Sequence, residues 1–314
     1  MRAPRPLLAL GLLAPTLFLL ACGGAPEEDA AAEEAAASGA ARRPVVAVAS
    51  GPAALLAEAA VGPDGVERVA PRGADMASWR PDDDALDAMV SARAVLVVGD
   101  GFEPWLQRAG LPPSRTVRLD AAVPEGRWIE VGTFTHTHGG GEAHTHGGVV
   151  AEAWTDPAIL RAMAARSRER LGEGAAPDAD LERRIAAYEA ALADLSEALE
   201  GRALIATHHG LEYLCRAAGI ELEVTELELD VAGAPPNDAA VRELEALASR
   251  EGAHAGVLVW PGRLDEAFAR KARGALGLRS VDFDLGGALD ERDTLERLTE
   301  STARLRASIP GPPR

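Results

Sequence analysis

The segment from Asp180 to Glu200 sets the tightest limit on how this chain can fold. Its apolar positions Leu181, Ile185, Tyr188, Leu192, Leu195 and Leu199 recur at intervals of three and four residues, so a helix there carries them as one stripe. Asp178 or Asp180 can cap its first amides, and Gly201 follows the last turn, where a left-handed residue is favoured. At about 1.5 Å per residue the helix would run roughly 30 Å. It either crosses from one lobe to another or covers one side of a single lobe, and periodicity alone leaves both open.

On either side of it, short β-branched runs alternate with amphipathic stretches. Strands are expected at Val45–Ala49, Ala94–Val98, Thr116–Leu119, Ala203–Ala206, Leu222–Leu227, Gly256–Trp260 and Arg279–Phe283. Helices are expected between them, at Ala158–Leu171, Ala239–Ser249 and Leu264–Ala275 among others. This alternation predicts an α/β fold of parallel sheets covered by helices. No P-loop, dinucleotide fingerprint or nucleophile elbow occurs, so nucleotide binding and α/β-hydrolase chemistry are unsupported.

At the N-terminus, Arg2 and Arg5 precede an apolar run from Leu7 to Leu20 that ends in Leu19-Leu20-Ala21-Cys22. Residues 1–21 read as a lipoprotein signal peptide, with Cys22 acylated as the first mature residue and the protein anchored to a membrane rather than spanning it. The run is shorter than the roughly 20 apolar residues a span needs and contains Pro15. Residues 22–43 are almost entirely Gly, Ala, Glu, Pro and Ser. They read as a disordered tether reaching roughly 25 Å, or as an alanine-rich helical spacer.

The chain holds 32 basic and 49 acidic residues. Losing Arg2 and Arg5 with the signal peptide would move the net charge from −17 to −19, which argues against a nucleic-acid partner. Asp82-Asp83-Asp84 follows Pro81 and is expected to cap a helix from Ala85 to Ala94. Cys215, the one cysteine besides Cys22, lies in an apolar run and reads as a buried thiol. With thiolates set aside, nitrogen and oxygen donors remain, which suit Zn2+ first and Mn2+ or Fe2+ behind it.

Such donors are concentrated in one place. Four of the seven histidines fall between His136 and His146, as the pairs His136/His138 and His144/His146, separated and followed by glycines. Imidazole is the commonest metal ligand in proteins, and glycine lets the backbone wrap an ion at low steric cost. The stretch 136–148 therefore reads as a metal-loading loop, against a solvated loop without a role. Elsewhere, His208 and His209 form a pair expected to open a helix, with His209 as a cap or as a partner behind the ligands, and His254 is expected to be exposed ahead of a strand.

Four further stretches complete a pattern: Gly73-Ala74-Asp75 through Trp79-Arg80-Pro81, Trp154-Thr155-Asp156-Pro157, Thr207-His208-His209-Gly210-Leu211-Glu212-Tyr213-Leu214, and Asp284-Leu285-Gly286-Gly287. In their order and spacing, with the histidine-rich stretch just ahead of Trp154, the chain resembles the substrate-binding lipoproteins of zinc and manganese ABC transporters. It is most similar to their zinc-specific branch. The resemblance implies two lobes of parallel sheet, 44–178 and 201–314, joined by a backbone helix at 179–200, with a metal cleft between them. It also implies a monomer on the periplasmic or cell-surface side of a bacterial membrane, partnered by an ABC permease and its ATPase, and no enzymatic activity.

Members of this family hold metal with three histidines and an acidic residue. By that pattern His208 matches the third histidine and Asp284 the acid, but Ala77 stands at the first histidine position and Glu152 at the second. Zinc sites close a shell of four, so the expected set is His144, His146, His208 and Asp284. Glu152 is then a spare ligand or outer partner, and His136 and His138 an outer capture pair. His208 as a core or capping histidine, and Asp284 as a turn carboxylate, are the competing readings. Affinity is expected to fall below about pH 6.5, where imidazoles protonate. The lost donors leave a second functional class open, a metal-buffering, adhesion or signalling module without a permease.

Overall fold

The computed structural model describes residues 45–99, 101–132, 134–136, 144–146, 148–172, 178–225, 227, 238–250, 253–262 and 266–310; residues 134–136, 144–146 and 238–240 are described by backbone alone. The expected signal peptide 1–21, Cys22, the tether 22–43 and His138 lie outside the described residues.

Val46, Ala47 and Val48 are all fully buried, as in a strand covered on both faces. They form β1 (Val46–Val48), which is followed by α1 (Gly51–Val61), β2 (Val66–Arg68), α2 (Asp83–Ser91), β3 (Ala94–Val97) and β4 (Thr116–Arg118). The four strands make one parallel sheet in the order β2-β1-β3-β4. β2 was not expected: three residues with Glu67 and Arg68 at a half-exposed sheet edge carry no period to read. Asp82 caps α2 as expected, accepting from the Ala85 amide at 2.9 Å. The helix ends at Ser91, earlier than expected, because Ala94 is already in β3.

A two-stranded antiparallel ribbon, β5 (Phe134–His136) and β6 (His144–His146), comes next. It is followed by α3 (Pro157–Leu171) and α4 (Ala179–Leu199). The chain then runs through β7 (Ala203–Ala206), α5 (Glu212–Ala218), β8 (Leu222–Val224), α6 (Asp238–Ala248), β9 (His254–Pro261), α7 (Glu266–Leu276), β10 (Arg279–Phe283) and α8 (Thr294–Ser308). These later strands form a second parallel sheet, β10-β9-β7-β8. β8 is shorter than expected, ending at Val224; the Thr225 amide and hydroxyl both bond the Ala206 carbonyl, and the Leu227 amide bonds the Thr207 carbonyl.

The long helix is present with its stripe intact. Leu181, Ile185, Tyr188, Leu192, Leu195 and Leu199 are its buried residues, and they pack against α3, α5 and α8. Asp178 provides the N-cap, accepting from the amides of Asp180 and Leu181. At the other end Glu200 takes the left-handed conformation, φ 52°, one residue before Gly201. Tyr188 fixes the helix laterally through a hydroxyl bond to the Thr155 carbonyl at 2.9 Å.

The stripe belongs to one continuous core that includes β1, β3, Leu204 and Ala206 of β7 and Val257 and Val259 of β9. The alternate residues Ile205, Leu258 and Trp260 face a smaller cluster with Leu244 and Phe268, as the two-residue period of a strand requires. Residues 43–314 form one compact unit. Among the described residues no helix is long and apolar enough to cross a membrane.

Because Leu195 is fully buried in the core that both sheets share, Leu195→Ala is expected to cost roughly 2–5 kcal/mol. Urea unfolding should show this as a single shifted transition. Two separated transitions would mean that the sheets do not depend on the same core.

Candidate metal centre

In parallel sheets, ligands bind beyond the carboxyl ends of the strands, and here the carboxyl ends of both sheets open on one cavity of about 300 Å³. Asp75 and Met76 follow β2, Phe102 follows β3, and Val149 to Glu152 and Trp154 precede α3. His208 and His209 follow β7, Pro261 and Gly262 end β9, and Asp284, Leu285, Gly287 and Ala288 follow β10.

The turn after β10 has the densest bonding. Asp284 Oδ1 accepts from the Gly286 amide at 2.9 Å, and Gly286 has φ 71°, which suits a residue without Cβ. Trp154 Nε1 donates to the Leu285 carbonyl at 2.9 Å, Thr294 Oγ1 to Gly286 O at 2.8 Å, and the Gly51 amide to Gly287 O at 2.8 Å. A Cβ on Gly287 would lie 2.8 Å from Phe102, whose ring packs edge-on to Trp154 at 4.7 Å. Arg297 of α8, 4% exposed, places Nη1 3.5 Å from Asp284 Oδ1 and donates from Nη2 to the Ala288 carbonyl. Asp284 is thus both a turn carboxylate and a cavity residue.

Opposite this turn, His208 Nδ1 meets Thr207 Oγ1 at 2.9 Å. The histidine pair does not open α5, which begins at Glu212, because Gly210, at φ 131°, and Leu211 intervene. His209 also lines the cavity, with Nδ1 bonded to Glu212 Oε1, while Glu212 Oε2 accepts from the Gly210 amide at 2.7 Å. Glu152 lies beside this pair. Withdrawal from water, and then the charge of Glu212, push its carboxyl up to about 7.

Glu152, His208 and Asp284 therefore share one cavity. Among the described residues, however, no three His, Cys, Asp or Glu side chains form a group that could hold a metal ion. Ala77 is buried and absent from the lining, which Asp75 and Met76 occupy. Asp75 is itself engaged, by the Ala77 amide at 3.1 Å and the Ser78 hydroxyl at 3.0 Å.

The histidine-rich stretch, expected as a loop, has its ends paired as β5 and β6. The register sets His136 opposite His144 and Phe134 opposite His146. Pairing begins lower down, where Glu130 bridges Val149, Val131 N bonds Gly148 O and Val150 N bonds Ile129 O. Val149 and Val150 line the cavity, so the ribbon is rooted in its wall. The side chains of His136, His144 and His146 lie outside the described residues, as does the whole of His138.

Other expectations resolve simply. His254 was expected to be exposed; it is half-buried, its Nδ1 accepting from the Gly256 amide and its Nε2 meeting the Ala248 carbonyl, so it braces the start of β9. Trp260 sits in the smaller core against Phe268 and does not line the cavity. Cys215 is 2% exposed, and burial pushes its thiol well above the usual range. Asp75, Glu212 and Arg297 were not singled out from sequence. The first two lie inside the quoted motifs, and Arg297 carries no sequence signal.

The family model for the periplasmic zinc-uptake complex component A, ZnuA, matches residues 46–303. The chain belongs to this family. ZnuA-family members are solute-binding components of extracytoplasmic ABC uptake systems rather than enzymes. No curated protein matches this ZnuA-family chain in sequence. Among solved structures it is similar to the metal-dependent lipoprotein YcdH from Bacillus subtilis, with a TM-score of 0.65 at 13% identity, covering 85% of this chain and 99% of that one. The periplasmic zinc binding protein TroA from Treponema pallidum gives 0.63 at 14%, covering 85% and 99%. The laminin binding protein Lmb of Streptococcus agalactiae gives 0.63 at 12%, covering 85% and 99%. At these identities the likeness establishes a shared fold.

Behind the cavity, Glu103 is fully buried and accepts from Ser50 Oγ at 2.7 Å and the Gly99 amide at 3.1 Å. Burial pushes its carboxyl from 4.5 to about 7. Between those values the native ZnuA-family chain keeps a proton that the unfolded chain has lost, so Glu103 makes stability fall as pH rises through that window. Urea unfolding at pH 5 and pH 8 should show a larger loss in the wild type than in Glu103→Gln, and equal losses would refute the assignment.

Proposed function

We propose that this protein is a zinc receptor of the zinc-specific branch, an extracytoplasmic lipoprotein that captures Zn2+ and delivers it to an ABC permease and its ATPase. Cys22 carries the lipid anchor, 22–43 is the tether, and lobes 44–178 and 201–314 meet across the helix at 179–200. The observation that supports this reading is the single cavity lined by Glu152, His208 and Asp284, with a histidine ribbon rooted in its wall.

Ala77 removes one donor, and Glu152 replaces an imidazole with a carboxylate. His144 and His146 make up the deficit by folding onto the cavity, where they join His208 and Asp284 in a tetrahedral shell. His136 and His138 capture metal further out. Mn2+ and Fe2+ bind less well, because two or three imidazoles favour zinc. A ribbon that supplies ligands can withdraw them when the protein docks on its permease, which lowers affinity at delivery. TroA's description as a zinc binding protein agrees with this cargo.

A competitive zinc titration of the full chain tests the reading. Deleting 136–148, or His208→Ala, is expected to weaken binding by tenfold or more, while His209→Ala costs less because His209 is already bonded to Glu212. Unchanged affinity after the deletion would sink the ribbon model, and equal losses at His208 and His209 would sink the ligand assignment. Affinity should also drop from pH 8 to pH 6, since the ligating imidazoles protonate and the Glu152 carboxyl, held at about 7, takes up a proton and loses the negative charge it offers beside the shell. That drop should be shallower in Glu152→Gln.

The lost donor at Ala77 also fits a second reading, a degenerate site that buffers metal or serves adhesion. Lmb is described as bifunctional, with adhesin and metal-transporting activity. Zinc uptake by cells that depends on this protein and a permease encoded beside it would favour delivery; its absence would favour the buffer.

A further inference from the structure

Arg297 is the one described arginine whose guanidinium is sealed beneath the cavity, and the uptake model leaves it without a role. Its side chain is 4% exposed, Nη2 bonds the Ala288 carbonyl, and Nε is buried without an acceptor among the described residues. The one carboxylate within ion-pair distance among the described residues is Asp284, at 3.5 Å. Asp290, further along the same turn, feels the charge at longer range. A buried guanidinium is costly unless it is paired, so the pair with Asp284 belongs to the metal-free protein.

We infer that Arg297 competes with the cargo ion for the Asp284 carboxylate, and thereby weakens metal binding and speeds release. This inference rests on Asp284 being a ligand, as in the proposed function. A carboxylate that turns to a divalent cation cannot keep its full bond to the guanidinium. The metal-loaded state then holds a partly unpaired buried Arg297 a few ångströms from a second positive centre, a repulsion that solvent at Asp284, 39% exposed, screens only in part because the guanidinium itself is buried. Both penalties vanish when the metal leaves and Asp284 returns to Arg297. The protein thus carries an internal substitute for its cargo.

Arg297 also bonds the Ala288 carbonyl at the far end of the same turn, so a purely structural role as a staple is the rival explanation. The two roles predict opposite signs. If the arginine only shapes the turn, removing it weakens metal binding; if it competes for Asp284, removing its charge strengthens binding.

The test uses the full chain and zinc alone, measuring Kd by competition and the dissociation rate into a chelator. Arg297→Met, which keeps the aliphatic stem, is expected to lower Kd and slow dissociation, each by at least tenfold, with the association rate little changed. Arg297→Lys, which keeps the charge, should stay near wild type. Arg297→Gln retains a donor for Ala288 and serves if the methionine variant unfolds. In an Asp284→Asn background the effect of Arg297→Met should disappear, as a coupling between the two residues requires. Equal or weaker zinc binding by a folded neutral variant would overturn the inference. If Asp284→Asn alone binds zinc like the wild type, Asp284 is not a ligand, and both this inference and the ligand set of the proposed function fall. If Asp284→Asn weakens binding while the neutral variants do not strengthen it, only the inference falls.

Discussion

The carbonyls of Leu285, Gly286 and Gly287 accept, in order, from the Trp154 indole, the Thr294 hydroxyl and the Gly51 amide. Two of these donors, Trp154 and Gly51, come from the part of the chain before the long helix, while the acceptors follow the last strand. This short turn therefore stitches the first sheet to the second, and it carries Asp284 at its start. The close approach depends on missing side chains. A Cβ on Gly51 would lie 2.3 Å from Gly286 O, so the first segment reaches the turn only because Gly51 lacks one, and a Cβ on Gly286 would lie 2.8 Å from Thr294, so the turn reaches α8 for the same reason. The position of Asp284 relative to the other cavity residues follows from that contact.

On the opposite wall the chemistry is dominated by carboxylates. Glu152, Glu212 and Asp75 surround or adjoin the space into which His208 and His209 project from the turn after β7. Glu152 is held toward its neutral form by its withdrawal from water and, after that, by the charge of Glu212. Glu212 in turn accepts from His209 and the Gly210 amide. A bound cation would relieve the repulsion between the two glutamates directly, which is a physical reason for a glutamate to be tolerated where the resemblance leads one to expect a histidine.

Much of this architecture is legible in the amino-acid sequence. The stripe on 180–200 appears residue for residue as the buried face of α4, because a long amphipathic helix announces its burial through its period alone. The seven expected strands are present, since runs such as Val95-Leu96-Val97 have few other conformations open to them. β2 escaped because three residues ending in Glu67 and Arg68 have neither length nor period. His208, Asp284 and Glu152, placed through resemblance, do line one cavity. Arg297 could not be placed in advance, because its partners Asp284 and Ala288 meet it only once the turn after β10 folds back onto α8; Glu212 lay inside a quoted motif, but its bonds to His209 and the Gly210 amide show only in the folded turn. His254 shows the same limit from the other direction: it looks exposed as sequence, and it is committed to bracing the start of β9.

One continuous apolar core runs from β1 through the stripe of α4 to β7 and β9. A molecule built this way has no soft seam along which its halves could fold over a guest, because any hinge would have to tear well-packed side chains apart. In the proposed receptor, loading and unloading would then be local affairs of turns and side chains around the cavity, leaving the silhouette of the body almost unchanged. A membrane partner that has to tell full receptors from empty ones is consequently offered little difference in shape, and must read the mouth of the cavity itself.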